Sequence, residues 1–404
     1  MNILSVNKFF WRKGGSEAVF FNEMELLQRY GHRVIPFSMK SQYNLETPFE
    51  KYFVEEVNYE ATGLLNRLTN ASKVIFSFDA RSKIHRLLRD HQFDIAHFHI
   101  FQHQISPSVF APITRSGAPL VLTLHDLKPI CPNYKMYVNG KVCEACKQGK
   151  FYHSVVNRCN KGILLNSVIN AVEMYSHYAL GYYHDVSRFI AVSRFYQQKM
   201  IDFGFSEDQV SYIPNMIEPD SAYPSDDDEG YALYFGRLSE EKDVRSLIGA
   251  MSKVPALKLI IAGTGPDEKL LQEQVKRHAI DNVKFVGFQS GDNLRRLIKQ
   301  ASFTVLPSKW YENCPMSILE SFAHGKPVLG ARIGGIPELI DDGLDGFHFT
   351  PEKEDEIAEK LTMMASMSRA DRREMGINGY DKIKRNYSPE QHYEELMTVY
   401  RTVK

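Results

Sequence analysis

The sequence lacks the features that mark several classes of protein. None of its 404 residues fall in a run approaching 18 consecutive apolar residues, so it predicts no membrane-spanning helix. Lysine plus arginine equals aspartate plus glutamate, 49 each, so no general positive charge is present to attract nucleic acid. The N-terminal segment MNILSVNKFFW has no basic region followed by a long apolar core. It predicts a first strand, not a signal peptide, and favours a cytoplasmic location.

What the sequence does contain is a regular alternation of short apolar runs and longer amphipathic segments. The apolar runs predict buried strands at 2–6, 33–39, 94–100, 119–126 and 188–193, and again at 231–238, 257–263, 283–288, 302–308 and 327–331. Helical segments such as 17–30 and 72–90 separate them. This order and this length predict an α/β protein of two doubly wound domains with parallel sheets. The segment 218–230 has proline, serine and a charge run, and it predicts a linker.

The segments that follow the predicted strands are the places where such sheets bind ligands. Gly14 and Gly15 follow the first strand, and Ser16 is expected to cap a helix that begins near Glu17. Glycines at this position let the backbone approach an anion closely, although a plain strand–helix turn is equally compatible with the pattern.

Two further turns belong to the second half of the chain. Arg237 and Lys242 lie five positions apart after its first strand, a spacing that suits a diphosphate but that a solvated pair of cations would also show. Gly263 and Gly265 end the next strand and Pro266 follows, which favours an ordinary helix start.

The stretch YENCPMSILESFAHGK carries two glutamates, Glu312 and Glu320, eight positions apart. Pro315 fits the first position of a helix that runs to about Ala323 and that Gly325 ends. Glu320 then lies among apolar neighbours, where a carboxylate needs a hydrogen-bonding partner such as the hydroxyl pair of a sugar or ribose. The alternatives are a charge at the rim for Glu312 and an exposed helix glutamate for Glu320.

Taken together, these motifs resemble the family-4 retaining glycosyltransferases of the GT-B fold. The second half does so through FGRLSEEKD, IIAGTGP, VKFVGF, the E-x7-E pair of ENCPMSILE and SFAHGKPVLGARIGGIPELIDDGLDGF. The first half does so through KGGSEAVFFNEMELLQRYGHRV, AHFH, TLHD, FIAVSRF and YIPNMI. The resemblance implies two Rossmann-like domains facing across a cleft. An acceptor-side domain would span 1–217 and a nucleotide-sugar-binding domain 230–387, with a helix at 388–404 returning to the first domain.

The resemblance also implies a role for each matching residue. His125, which ends TLHD, and Glu312 would act at the donor sugar as the catalytic residues. His99 of AHFH ranks below His125, for which a structural strand-end histidine is the alternative. The diphosphate and nucleotide would be bound by Gly14, Gly15, Arg237, Lys242 and Glu320. The donor sugar would meet the helix N-terminus formed by Asn313, Cys314, Pro315 and Met316, where the family usually has a glycine-containing segment.

The implied activity is transfer of a sugar, with retention of configuration, from a UDP- or GDP-sugar to a glycan or lipid-linked acceptor. Bacterial surface polysaccharide synthesis is the implied setting. No catalytic metal and no nucleic acid partner are expected. Two other functions stay open: a sugar-nucleotide epimerase of the same two-domain fold, and a non-catalytic sugar-nucleotide binding protein. The E-x7-E pair and the FGRL…K loop favour the transferase.

An insertion at 127–160 carries four of the five cysteines, Cys131, Cys143, Cys146 and Cys159, as C-x11-C-x2-C-x12-C. This spacing suits a structural zinc ion, with an iron–sulfur cluster and four separate thiols as alternatives.

The segment 162–186 that follows the insertion is rich in tyrosine and predicts a helix. A core-facing helix is favoured over a patch that contacts the acceptor or the inner face of the membrane peripherally.

Overall fold

The computed structural model describes residues 1–57, 73–218 and 227–404. They form two compact units. The first comprises Met1–Met136, Glu144–Pro214 and His392–Lys404, and the second comprises Tyr137–Cys143 and Asn215–Gln391. Much of the predicted linker, residues 219–226, lies outside the described residues.

The described elements alternate along the chain as the sequence predicts. The strands are β1 (Asn2–Val6), β2 (Arg33–Phe37), β3 (Ile95–Phe98), β4 (Leu120–Leu124), β5 (Tyr137–Val138), β6 (Lys141–Val142), β7 (Val186–Ala191), β8 (Val210–Tyr212), β9 (Tyr231–Phe235), β10 (Lys258–Ala262), β11 (Val283–Gly287), β12 (Phe303–Leu306), β13 (Val328–Ala331) and β14 (Gly346–Phe349). The helices are α1 (Gly15–Arg29), α2 (Phe78–Asp90), α3 (Phe110–Arg115), α4 (His153–Val156), α5 (Leu164–Ala179), α6 (Arg194–Asp202), α7 (Val244–Met251), α8 (Glu268–Arg277), α9 (Gly291–Gln300), α10 (Met316–Ala323), α11 (Ile336–Leu339), α12 (Glu354–Ser366), α13 (Arg369–Asn386) and α14 (Pro389–Val403).

Each unit is built on a six-stranded parallel sheet. The order is β2-β1-β3-β4-β7-β8 in the first unit and β11-β10-β9-β12-β13-β14 in the second. The central strands β3, β4 and β9 are buried along their whole length, because helices cover both faces of such a sheet. Their sequences are therefore continuous apolar runs, and the prediction of two doubly wound parallel-sheet domains is confirmed. The short strands β8 and β14 and the hairpin of β5 and β6 were not predicted.

Helix α14 corresponds to the predicted returning helix and groups with the first unit from His392 onward, whereas its first residues, Pro389–Gln391, group with the second unit. The ring of Tyr393 stacks on that of Tyr30 with centroids 3.7 Å apart. The hydroxyl of Tyr400 lies 2.8 Å from Nδ1 of His97. Leu396 and Met397 join the same hydrophobic core as strand β1. The apolar face of α14 thus completes the first unit.

The insertion is divided between the units, whereas the sequence places all of it in the first domain. Residues Tyr137–Cys143 group with the second unit. The hydroxyl of Tyr137 donates to Oε1 of Glu240 at 3.2 Å, which holds the hairpin of β5 and β6 against the turn after β9. No helix among the described residues is long and apolar enough to cross a bilayer.

The turn after β10 leads into a helix, as the sequence predicts, although α8 begins at Glu268, two residues later than Pro266. Gly265 in this turn lies against the loop after β9, where an added Cβ atom would come within 2.1 Å of the carbonyl oxygen of Leu238. The amide of Leu238 donates to the carbonyl of Thr264 at 3.0 Å. These contacts fix the shape of the loop that carries Arg237 and Lys242.

Candidate functional site

The loops after β9 and β12 are joined by a partly buried ion pair. Nζ of Lys242 lies 2.5 Å from Oε1 of Glu312. The hydroxyl of Ser308 donates to the same carboxylate oxygen at 2.5 Å. Glu312 is only 5% exposed, so it is not a rim charge. The sequence singled out both charged residues, but it did not predict that they pair with each other.

The backbone of Glu312 is held by a glycine pair that the sequence reasoning missed. The amide of Gly335 donates to the carbonyl of Glu312 at 2.8 Å. Gly334 has a φ of +60°, and a Cβ atom there would lie 2.4 Å from the carbonyl oxygen of Glu312. Only glycine satisfies both requirements at position 334. The available signal was the GG of ARIGGIPE directly after the predicted strand β13.

Helix α10 presents its N-terminus directly after Glu312. Pro315 is the residue before the first helical turn, with ψ at 118°, so the expectation that it occupies the first helical position was wrong by one residue. Its neighbour Cys314 is buried, and its carbonyl accepts from Nδ2 of Asn215 at 3.0 Å. Burial raises the pKa of the Cys314 thiol to about 12. The amides of Asn313 and Met316 flank this anchored residue, as expected for a helix N-terminus.

Glu320 lies in the second turn of α10, as the sequence predicts. Burial raises the pKa of its carboxyl group to about 7, so it is not an ordinary exposed helix glutamate. Near neutral pH this group is divided between its neutral and ionised forms. A ligand that donates hydrogen bonds to the ionised form would therefore shift the balance toward the carboxylate.

Arg237 follows Gly236 at the carboxyl end of β9, and its side chain is exposed. The hydroxyl of Tyr234 donates to the carbonyl oxygen of Arg237 at 2.8 Å, which fixes the backbone there. Lys242 ends the short 3-10 turn Glu240–Lys242 in the same loop. One side of the sheet in the second unit thus carries Arg237, the Lys242–Glu312 pair and the N-terminus of α10.

Gly14, Gly15 and His125 belong to the first unit. Helix α1 begins at Gly15 with Gly14 as its N-cap residue, so the expected cap by Ser16 was wrong. The Ser16 hydroxyl instead donates to Oε1 of Glu17 at 3.1 Å. Both glycines are exposed, and their amides lie at a helix N-terminus.

His125 connects to a buried chain of polar groups that the sequence reasoning did not assemble. Its Nε2 lies 2.9 Å from Nδ1 of His99, and the two rings are stacked. Nε2 of His99 lies 3.3 Å from Oε1 of Glu23, and Nδ1 of His97 lies 2.8 Å from the same oxygen. Glu23 was missed because α1 was taken as an ordinary amphipathic helix. Its position between Phe20 and Leu27 on the apolar face was the available signal.

Comparison with known proteins identifies the family. Residues 13–221 match the family model described as Glycosyltransferase Family 4, and residues 217–382 match Glycosyl transferases group 1. The first match alone covers more than half of the 404 residues. The chain belongs to glycosyltransferase family 4.

Relatives of this family-4 chain match it over part of their length. The uncharacterized glycosyltransferase MJ1607 of Methanocaldococcus jannaschii is 31% identical over 48% of the chain and 53% of its own length. The N-acetyl-alpha-D-glucosaminyl L-malate synthase of Bacillus anthracis is 29% identical over 36% of the chain and 38% of its own length. The chain thus spans about half or less of these curated relatives. The structure of Anabaena HepE in complex with UDP has a TM-score of 0.67 at 18% identity and covers 100% of both chains, which shows the shared GT-B fold.

The buried chain in this family-4 protein sets the charge of His125. Burial alone would raise the pKa of Glu23, but His97 and His99 lower it well below its ordinary value, so Glu23 is a carboxylate. Burial lowers the pKa of His99 and lowers that of His125 well below the ordinary range, so both imidazoles are neutral. In the contact between Nδ1 of His99 and Nε2 of His125, one nitrogen carries the proton and the other accepts the hydrogen bond.

The cysteine insertion of the family-4 chain has two buried thiols, Cys131 and Cys146, and two half-buried ones, Cys143 and Cys159. The amide of Cys131 donates to the carbonyl of Leu127 at 2.9 Å, and that of Cys159 to Ser154 at 3.0 Å. Cysteine sulfur is a ligand that zinc prefers, so the residue types of the insertion fit a structural zinc ion. The zinc site stays a prediction.

The neutral state of His125 predicts a pH dependence of stability. The unfolded chain binds a proton at this imidazole below about pH 6.5, whereas the folded chain does not until much lower pH. Stability from this group is therefore complete above pH 6.5 and is lost as the pH falls. Between pH 6.5 and 5.5, the free energy of unfolding of wild type should fall about 1 kcal/mol more than that of His125→Gln. Urea unfolding of both proteins at pH 6.5 and pH 5.5 measures the free energy of unfolding. An equal decrease in wild type and His125→Gln would contradict the prediction.

Proposed function

We propose that this family-4 protein transfers a sugar, with retention of configuration, from a UDP- or GDP-sugar to a glycan or lipid-linked acceptor. Bacterial surface polysaccharide synthesis is the proposed setting. The observation that carries the proposal is the Lys242–Glu312 pair at the strand ends, with Glu312 eight positions before Glu320, whose pKa is raised to about 7 by burial of the carboxyl group. Support for a nucleotide-sugar donor comes from HepE, whose solved structures hold UDP and UDP-glucose.

The proposed chemistry needs cations where the leaving group develops charge. As the bond between sugar and diphosphate breaks, negative charge moves onto the nucleoside diphosphate. Lys242 and the exposed guanidinium of Arg237 would stabilise that charge, together with the amides at the N-terminus of α10. The exposed amides of Gly14 and Gly15 would bind the same phosphates. These groups take the place that a divalent cation has in other diphosphate sites, so no catalytic metal is proposed.

Donor entry would exchange one partner of Lys242 for another. In the structure its ammonium group is paired with Glu312. A bound diphosphate would draw the ammonium toward the phosphates and leave the Glu312 carboxylate directed at the donor sugar, still held by Ser308. The backbone of Asn313, Cys314, Pro315 and Met316 would frame the same position, with N–H donors from every residue except the proline. The neutral imidazole of His125 would hydrogen-bond the donor sugar. The departing phosphate would take the acceptor's proton on the same face.

The central test is the substitution Glu312→Gln in a transfer assay. The variant keeps the shape of the side chain but removes its charge, so turnover should fall about 100-fold or more. Its melting temperature should change little, since Lys242 is partly exposed and can be solvated. Product analysis with UDP- and GDP-sugars, with and without a glycan acceptor, measures transfer.

The exposed Glu273 on α8 provides the matched control, and Glu273→Gln should keep full activity. Isomerised sugar nucleotide in place of a transferred sugar would identify an epimerase. Unchanged turnover of Glu312→Gln would remove Glu312 from the site.

A second prediction concerns the nucleotide and Glu320. A carboxylate accepts two hydrogen bonds from ribose hydroxyls, and with a pKa of about 7 its ionised fraction rises about tenfold from pH 6 to pH 8. The affinity for UDP or GDP should rise by about the same factor over this range. Glu320→Gln should abolish that part of the pH dependence, leaving only the titration of the nucleotide itself. The nucleotide is chosen as the one that raises the melting temperature of the protein, and its affinity is measured by calorimetry at pH 6 and pH 8. If the affinity of Glu320→Gln changes with pH as that of wild type does, Glu320 does not bind the ribose.

We also propose that Cys131, Cys143, Cys146 and Cys159 hold a structural zinc ion. Elemental analysis of the purified full chain should find about one zinc per chain. Replacing Cys143 and Cys146 by serine should remove the zinc and lower the melting temperature, because metal binding and folding of such loops are coupled. Cys314→Ser is the control, since that cysteine is buried in the second unit and apart from the insertion. A metal-free, stable wild type would refute the proposal, and iron in place of zinc would indicate a cluster.

A further inference from the structure

Helix α5 is inverted relative to an ordinary amphipathic helix. Its buried side chains include Ser167, Asn170, Glu173 and His177, each at most 6% exposed. Its apolar residues Leu164, Leu165, Val168, Val172 and Tyr175 are 36 to 50% exposed. At 100° per residue these five lie on one arc of about 100°. The helix does face the core through Ala171 and Met174, which are 5% and 0% exposed, but a second apolar face points to solvent.

Specific bonds hold the polar side of α5 inward. Nζ of the buried Lys128 lies 2.7 Å from Oε2 of Glu173. Nδ2 of Asn170 donates to the carbonyl of Pro132 at 3.2 Å, and the amide of Asn160 donates to the hydroxyl of Ser167 at 3.1 Å. If the apolar side of α5 faced inward, the buried Lys128 ammonium group would lose its carboxylate partner, which would strongly destabilise the fold. The orientation of α5 is thus fixed by its polar partners.

The exposed apolar surface continues onto the neighbouring helix α4. The amide of Tyr152 donates to the hydroxyl of Tyr175 at 3.2 Å, which places the start of α4 beside α5. Val156, at the end of α4, is 69% exposed. We call the surface of Val156, Leu164, Leu165, Val168, Val172 and Tyr175 the α5 face. Monomeric proteins seldom expose contiguous apolar patches of this kind without a partner.

The exposed charges in residues 147–181, the segment that carries the α5 face, have one sign. Lys147, Lys150, Arg158 and Lys161 are all exposed. The only acidic residue of the sequence from 147 to 181 is Glu173, and it is buried against Lys128. Arg158 and Lys161 precede α5 directly, on the segment that Asn160 ties to Ser167. The apolar face therefore has a basic border without exposed acid in this segment.

We infer that the α5 face docks on a lipid bilayer that carries anionic headgroups. Apolar side chains would enter the boundary between headgroups and acyl chains, while the basic border meets lipid phosphates. A second copy of the chain fits less well, because a two-fold interface on this face would bring the two basic borders together. The inference rests on α4 and α5 alone and does not depend on the proposed transfer reaction.

The test is co-sedimentation of the full chain with vesicles. Wild type should bind vesicles of phosphatidylcholine and phosphatidylglycerol more tightly than vesicles of phosphatidylcholine alone, and added salt should weaken the binding. The double variant Val168→Gln, Val172→Gln should bind at least about tenfold more weakly. Arg158→Gln with Lys161→Gln should lose about fivefold for each charge removed, on the anionic vesicles only.

The matched control is Leu270→Gln, which changes a leucine of α8 that is 53% exposed, and it should bind as wild type does. Circular dichroism melting confirms that each variant is folded, which is expected because the replaced side chains contact solvent. Wild type that fails to bind anionic vesicles overturns the inference. So does a solution dimer that Val168→Gln, Val172→Gln converts to monomer without any vesicle binding. Either result leaves the transfer assay unaffected.

Discussion

The candidate site in the second unit is organised around the contact between Lys242 and Glu312. A carboxylate that is 5% exposed is costly to bury alone, and the ammonium group of Lys242 and the hydroxyl of Ser308 are its partners. The pair also joins the loop after β9 to the loop after β12, so the two strand ends keep one spacing. In the proposed donor complex, a diphosphate would take the ammonium group of Lys242, and Glu312 would keep the Ser308 hydroxyl as its hydrogen-bond donor.

The first unit uses the same principle in its interior, where charges are paired to fix geometry. Glu23 is surrounded by His97, His99 and His392, the last with its Nε2 3.3 Å from Oε2. These contacts tie α1 to β3 and to the returning helix α14. Replacing such a cluster by apolar side chains would often cost no stability. The cluster fits a positioning role, because it holds His99 where its Nδ1 lies 2.9 Å from Nε2 of His125.

Much of the fold could be predicted from the sequence, because buried parallel strands leave continuous apolar runs and the helices between them have a period near 3.6. The charged site residues could be singled out because they directly follow those runs. Their pairing could not be, since Lys242 and Glu312 are 70 positions apart and local sequence carries no information on such contacts. The same limit explains Gly265 and Gly334, whose need for glycine comes from a backbone segment elsewhere in the chain. Glu23 was missed for a different reason, because the amphipathic pattern of α1 was assigned as a whole and a single carboxylate on its apolar face did not change that assignment.

Helix α5 shows the sharpest limit of periodicity. A period of 3.6 divides a helix into two faces, but it does not say which face is inside, and the usual assumption is that the apolar one is. In α5 the inward face is set by Lys128, which lies 45 positions from Glu173 in the sequence. The buried ammonium group of Lys128 requires a carboxylate, and Glu173 is the only one in the sequence of α5. Once Glu173 faces inward, the helical repeat forces Val168, Val172 and Tyr175 outward. The apolar surface is thus a geometric consequence of one buried ion pair, and the bilayer inferred as its partner would remove that surface from water.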